Sequence, residues 1–223
     1  MLIDVSIICI FAALILGYLL GSISPGIIIG KLIFKKDPRD FGSGNSGGTN
    51  VGRLFGKKVG LIVIILDALK TIISILATFF ILKYAVGETI LFMDPSYYSF
   101  IAGFGASLGH TFPIFNKFKG GKAVSCYLGI MISLNWGLTL VLFFVFMIVL
   151  KLKKMVSLAS CVTSGVAFLF ALIPIFKYTM NFGITYDIFY ILFVLFGGLF
   201  VIIRHKENIK RIIRKEERKI TWL

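Results

Sequence analysis

The strongest constraint on this chain is the run at residues 3–34, apolar apart from Asp4, a few hydroxyls and Lys31. About 20 such residues cross the hydrocarbon of a bilayer, so the run reads as a transmembrane helix. It ends near Gly21 to Pro25, because Pro25 restricts Ser24 and removes a backbone donor. No basic segment or small-residue cleavage site marks it as a signal peptide, which implies an uncleaved span. Further apolar runs follow at Val59–Leu82, Tyr97 to about Phe112, Ala123–Leu134, Gly137–Leu150, Val156–Phe176 and Ile184–Ile203. With 58% hydrophobic and 15% charged residues, the chain carries more apolar surface than one soluble core would bury. The expectation is an all-α polytopic membrane helix bundle of about seven transmembrane helices. Several runs are short for a straight crossing, so counts from five to seven fit. One integral membrane domain over residues 1–223 is expected, with a basic tail at 204–223.

A net charge of +14 raises the question of nucleic acid, and the positions of the cations answer it. With the N-terminus outside, every Lys and Arg except Lys70, Lys83 and Lys177 falls on the inner face or in the tail. The positive-inside rule makes that face cytoplasmic and accounts for the charge without nucleic acid. Lys83–Ser96, with Glu88, Asp94 and Pro95, is then an outer loop. Cys9, Cys126 and Cys161 show no CxxC spacing, and His110 and His205 lie far apart, so no disulfide framework or metal site is read.

Polarity is concentrated in a few places. Phe41–Arg53, FGSGNSGGTNVGR, interleaves five glycines with Ser43, Asn45, Ser46, Thr49 and Asn50. Glycine lets backbone N–H groups approach a ligand, and the side chains of Ser43, Asn45, Thr49 and Asn50 add uncharged donors beside Gly44. With Arg53 behind it, such a loop suits phosphate better than it suits a plain flexible linker. A second cluster, GHTFPIFNKFKGGK at 109–122, sets Gly120 and Gly121 between Lys119 and Lys122, close to His110 and Pro113. Asp67 and Lys70 stand three residues apart inside a span; they pair with each other or support the site. His205 and Asn208 share a helical face if the last span continues into the tail, where they could position a hydroxyl or bind phosphate. Asp37, Asp40, Asp67 and Glu207 form no evident acid/base pair. The inventory therefore favours an anionic, phosphate-bearing substrate over a metal-dependent reaction, and leaves acyl and phosphoryl transfer both open.

Taken together, GSISPGIIIGK at 21–31, FGSGNSGGTNVGR at 41–53, LDALK at 66–70, GHTFPIFNKFKGGKAV at 109–124, VSLAS at 156–160 and HKENIKR at 205–211 resemble one family. It is that of the bacterial integral-membrane acyl-phosphate:glycerol-3-phosphate acyltransferases. The chain departs from the family's more usual residues at Ser24 (Pro), Gly48 (Ala) and Ala123 (Gly). The resemblance implies transfer of a fatty acyl group from acyl-phosphate to the 1-hydroxyl of glycerol 3-phosphate, in the bacterial plasma membrane. It implies roles in phosphate binding and catalysis for Ser43, Arg53, Lys119, Ser157, His205 and Asn208, with no cofactor or metal and no obligatory protein partner beyond membrane lipids. The His-x4-Asp signature of other acyltransferases is missing, since Phe115 and Lys210 stand five residues after His110 and His205. The rival class is a transporter of an anionic metabolite. It calls for polar groups across the membrane and an internal repeat, whereas the polar groups here lie on one face.

Overall fold

The computed structural model describes residues 2–87, 91–179, 181 and 187–220. Glu88 of the expected outer loop, residues 184–186 at the expected start of the last span, and 221–223 of the tail lie outside them. Regular structure among the described residues is helical, with no strand. In order come α1 (Leu2–Gly21), α2 (Pro25–Leu32), α3 (Gly48–Phe55), α4 (Lys57–Phe80), α5 (Pro95–Thr111), α6 (Val124–Leu134), α7 (Trp136–Lys153), α8 (Val156–Ala171), α9 (Ile188–Arg204) and α10 (Lys206–Ile213).

The first run breaks as its proline requires: α1 stops at Gly21, and α2 restarts with Pro25 at its first position and Ser24 before it. Among the described residues, three helical stretches are long and apolar enough to cross a membrane, namely Val5–Leu32, Lys57–Gly87 and Trp136–Lys153. A fourth is reached if α9 and α10, bent by 60°, count as one. The other expected crossings rest on shorter helices. At 1.5 Å per residue, the 11 residues of α6 cover roughly half of a bilayer's hydrocarbon thickness.

Three local expectations change. Lys83 belongs to a π-helical turn, Ile81–Gly87, that extends α4 rather than to a loop. The run expected to end at Phe176 stops at Ala171, ahead of a 3-10 segment that opens on Pro174. The last span does not continue into the tail as one helix, because the axis turns at His205.

The chain forms two compact units, Met1–Ile130 and Met131–Leu223, with the boundary inside α6. In the first unit α1 and α5 meet through small residues. A Cβ on Gly17 would lie 1.9 Å from the Ala102 carbonyl oxygen, and one on Gly21 2.2 Å from that of Ala106. From the other side, a Cβ on Gly105 would lie 2.4 Å from the Leu14 oxygen and one on Gly109 2.1 Å from the Tyr18 oxygen. Two small-xxx-small stripes thus bring the backbones into contact, the packing that membrane helices use where apolar burial gives no preference for a partner over lipid. The large side chains of α1 face away: Ile8, Phe11 and Ile15 are exposed while Cys9 and Ala13 are buried.

In the second unit Asn135 caps α7, accepting from the Leu138 N–H at 2.9 Å and donating to the Phe176 carbonyl at 2.8 Å. The tail folds back, Ile220 N–H donating to the Lys154 carbonyl at 2.7 Å. The Ile220 side chain is buried with Leu150 and Ala159.

Replacing Gly105 or Gly109 by Val forces α1 from α5. Unfolding in detergent should become easier by about 1–3 kcal/mol, whereas Gly165→Ala, with nothing within 4 Å of the added Cβ, should leave the melting temperature unchanged. Equal melting of all three variants would refute the close-packing account.

Candidate functional site

The first glycine loop is built around one amide. Asn50, 2% exposed, donates through Nδ2 to the carbonyls of Pro38 (2.7 Å), Asn45 (2.8 Å) and Phe41 (3.2 Å). Its Oδ1 accepts the Ser43 N–H at 2.9 Å. Asn45 Nδ2 reaches the Ser43 carbonyl at 3.1 Å and the Ser43 hydroxyl at 3.2 Å. Gly42 and Gly44 adopt φ of 61° and 70°, which lets the chain turn so tightly. Gly48 and Thr49 open α3, and Arg53 sits half-buried in its last turn. At Gly48 a Cβ would fall 2.5 Å from the Gly60 carbonyl oxygen, so glycine suits this packing where the resembled family more often has alanine.

Asp67 and Lys70 do pair, Nζ to Oδ1 at 2.8 Å, and the pair is larger than the spacing alone implied. Lys70 Nζ also donates to the Ile23 carbonyl at 2.7 Å, in the break between α1 and α2. His110 Nδ1 lies 3.1 Å from Asp67 Oδ1 and 3.2 Å from Lys70 Nζ. All three side chains are buried, so they act on the loops from beneath rather than at the surface.

The second cluster rests on His110. The Gly121 N–H donates to the His110 carbonyl at 3.0 Å. A Cβ on Gly121 would lie 2.1 Å from His110 Nε2, and one on Gly120 2.0 Å from the His110 oxygen. Gly121 is therefore steric clearance for the imidazole and Gly120 for the backbone at His110, a reason additional to backbone pliability. Tyr18 Oη donates to the Phe112 carbonyl at 2.8 Å, and Asn116 Nδ2 to Ser24 Oγ at 3.3 Å. Lys119 is exposed at the turn and Lys122 half-buried behind it. Ala123 adopts φ of 60°, a left-handed conformation that explains why glycine suits this position.

In the second unit His205 is buried at the bend, its Nδ1 2.8 Å from the Val201 carbonyl. A carbonyl only accepts, so Nδ1 carries a proton in this contact. Ser157 and Asn208 meet on a residue the sequence did not single out: Glu217. Ser157 Oγ donates to Glu217 Oε1 at 2.6 Å, Asn208 Nδ2 to the same oxygen at 2.7 Å, and Arg211 Nε to Oε2 at 2.8 Å. Burial pushes the Glu217 carboxyl up, yet the hydrogen bonds from Ser157, Asn208 and Arg211 outweigh this and hold it below its ordinary value. The signal available was a glutamate amid the tail's cations, which reads as ordinary solvated charge. Asp37, one of the acidic candidates, has a partner that sequence reading did not give it: the Arg39 guanidinium, which holds its carboxyl far below the usual carboxylate range.

A sequence profile described as glycerol-3-phosphate acyltransferase matches residues 11–215. A glycerol-3-phosphate acyltransferase of Staphylococcus aureus (strain Newman) is 39% identical over 214 residues, 96% of this chain and 99% of that one. One of Streptococcus sanguinis (strain SK36) is 39% identical over 210 residues, 94% of this chain and 91% of that one. Among solved structures, the crystal structure of PlsY, an integral membrane glycerol 3-phosphate acyltransferase, in its glycerol 3-phosphate form superposes with a TM-score of 0.78 at 35% identity. That match covers 95% of this chain and 96% of the other. The lysophosphatidic acid form gives 0.76 at 34% identity, covering 95% of each chain.

Glu217 sets a pH dependence. A carboxylate depressed in the folded state contributes stability that is fully present above its unfolded value, about 4.3, and is lost as pH falls through the lowered folded value. Proteolytic release of the tail should be slow and flat from neutral pH to about 5, then rise below about 4. Glu217→Ala should cost about 1–3 kcal/mol at neutral pH. A tail equally protected at pH 3 and pH 7 would contradict the assignment.

Proposed function

The chain belongs to the glycerol-3-phosphate acyltransferase family, and from that premise we propose that it transfers a fatty acyl group from acyl-phosphate to the 1-hydroxyl of glycerol 3-phosphate. The products are 1-acylglycerol 3-phosphate (lysophosphatidic acid) and inorganic phosphate. The acceptor carries the family's name, and one solved neighbour is a glycerol 3-phosphate form. The observation that carries the reading is a family match over nearly the whole chain, joined to a glycine loop whose shape Asn50 fixes from within. Acyl-phosphate as donor is supported by the site's inventory, since cations, amides and hydroxyls suit a reaction in which both substrates bear phosphate.

In this reading the acceptor oxygen attacks the acyl carbon directly, a new ester bond forms, and the bond from acyl carbon to phosphate oxygen breaks. Acyl-phosphate is already an activated mixed anhydride, so no acyl-enzyme is required. Ser43, Gly44, Asn45, Thr49, Arg53, Lys119 and Lys122 contact substrate phosphate. Asn50 does so through the loop it shapes, and Ser157 by exchanging partners with Glu217. Lys119 stabilises the departing phosphate. His205 takes the hydroxyl proton, and Asn208 orients the hydroxyl. Asp67, Lys70 and His110 support the second loop. The enzyme is a single domain of the bacterial plasma membrane, its N-terminus outside and its C-terminus cytoplasmic, with the shorter helices contributing to seven crossings.

Purified protein in detergent should release phosphate from acyl-phosphate only with glycerol 3-phosphate present, in step with lysophosphatidic acid. Ser43→Ala and Lys119→Ala should each lower kcat/KM by about 10²–10³-fold. Equal turnover with an acyl thioester would overturn the donor assignment. Folded protein with no acceptor-dependent release, but with metabolite uptake into vesicles, would favour the transporter.

A further inference from the structure

Arg39 reads in sequence as one more interfacial cation, and its surroundings say otherwise. Asp37 opens the 3-10 turn Pro38–Asp40, accepting the Arg39 N–H at 3.0 Å. The same carboxylate receives the guanidinium as a fork, Nε to Oδ1 at 3.0 Å and Nη2 to Oδ2 at 2.7 Å, with Lys31 Nζ 3.3 Å from Oδ2. A bidentate pair fixes the plane of the guanidinium, and so fixes where the third nitrogen points. It points across 77 residues of sequence: Nη1 donates to the Asn116 carbonyl at 2.8 Å and, more weakly, to that of Lys119 at 3.4 Å.

The loop it grips needs holding. Lys117 and Phe118 both have φ of 57°, a left-handed conformation that non-glycine residues keep only where their surroundings enforce it. Within the loop, Phe118 N–H donates to the Pro113 carbonyl at 3.0 Å and Lys119 N–H to that of Asn116 at 3.2 Å. Arg39 holds from outside the two carbonyls that bracket the left-handed pair. The turn that carries it also offers the Pro38 carbonyl to Asn50 at 2.7 Å. One turn thus ties the glycine loop to the lysine loop. A role as a direct phosphate ligand fits poorly: four of the five guanidinium N–H groups are engaged.

We infer that Arg39, held by Asp37, is a positioning residue for the acyl transfer, setting the Lys119 ammonium at the distance from the glycine loop that glycerol 3-phosphate requires. The inference rests on Lys119 as a ligand of substrate phosphate. Its test is a double-mutant cycle, with KM for glycerol 3-phosphate and kcat measured on wild type, Arg39→Ala, Lys119→Ala and the double variant, all at matched melting temperature. Arg39→Ala should raise KM about ten-fold with kcat within about two-fold, and Arg39→Lys should recover part of the loss. In the Lys119→Ala background the Arg39 substitution should add less than about two-fold. If Lys119→Ala is impaired and the Arg39 effect is fully additive, the positioning role falls while the site reading stands. If Lys119→Ala binds glycerol 3-phosphate like wild type, the site reading falls and takes this one with it. Should Arg39→Ala not fold, Arg39→Gln and Arg39→Lys complete the same cycle.

Discussion

A lysine ammonium inside apolar helices has no water to solvate it, and the first unit is arranged around that fact. Lys70 finds two acceptors, Asp67 on its own helix and the Ile23 carbonyl where Pro25 interrupts the first run, and His110 at the end of α5 lies beside the same carboxylate. The costs are coupled. A buried charge without partners is very unfavourable, and so is a carbonyl left unpaired by a proline break. Each therefore resolves the other, provided that α4, the break and α5 come to one point. The glycine stripes of α1 and α5 allow the approach, since any side chain at Gly105 or Gly109 would meet α1 backbone.

From this buried point the functional loops are built outward. His110 supplies a floor on which Gly120 and Gly121 lie, and Ser24, next to the carbonyl that Lys70 holds, receives Asn116. The glycine loop has its own internal frame in Asn50, whose bonds run to the backbone at four positions. Flexibility is thus the wrong description of both glycine-rich segments. Each is glycine-rich so that it can take a shape other residues forbid, with its internal hydrogen bonds and close backbone approaches holding that shape.

What could be read beforehand follows the range of the interaction. The break at Pro25 and the Asp67–Lys70 pair were legible because each depends on residues within a turn or so of one another. Helix ends set by punctuation, such as Gly21, were legible for the same reason. The neighbours of Lys70 at Ile23 and His110 were not, since they stand 47 and 40 residues away and are chosen by packing. The bend at His205 was missed because an apolar run passing into a basic, helix-favouring tail carries no proline or glycine to announce it. Gly120 and Gly121 were read as pliable backbone, which is what glycine signals until the histidine packed against it is known.

Glu217 shows why a site residue's chemistry depends on more than its identity. Ser157 has a single hydroxyl hydrogen, and it is directed to a carboxylate. While that bond stands, Ser157 offers an approaching anion lone pairs rather than a donor. Binding phosphate through Ser157 therefore means exchanging one anion for another, and the net gain is the difference between two charge-assisted hydrogen bonds instead of the whole of one. Asn208 is placed differently. Its amide donates one N–H to Glu217, which fixes the orientation of the whole planar group. The same carboxylate thus engages the one hydrogen of the Ser157 hydroxyl and fixes the plane of the Asn208 amide. The bend at His205 gives Asn208 the direction from which to reach it.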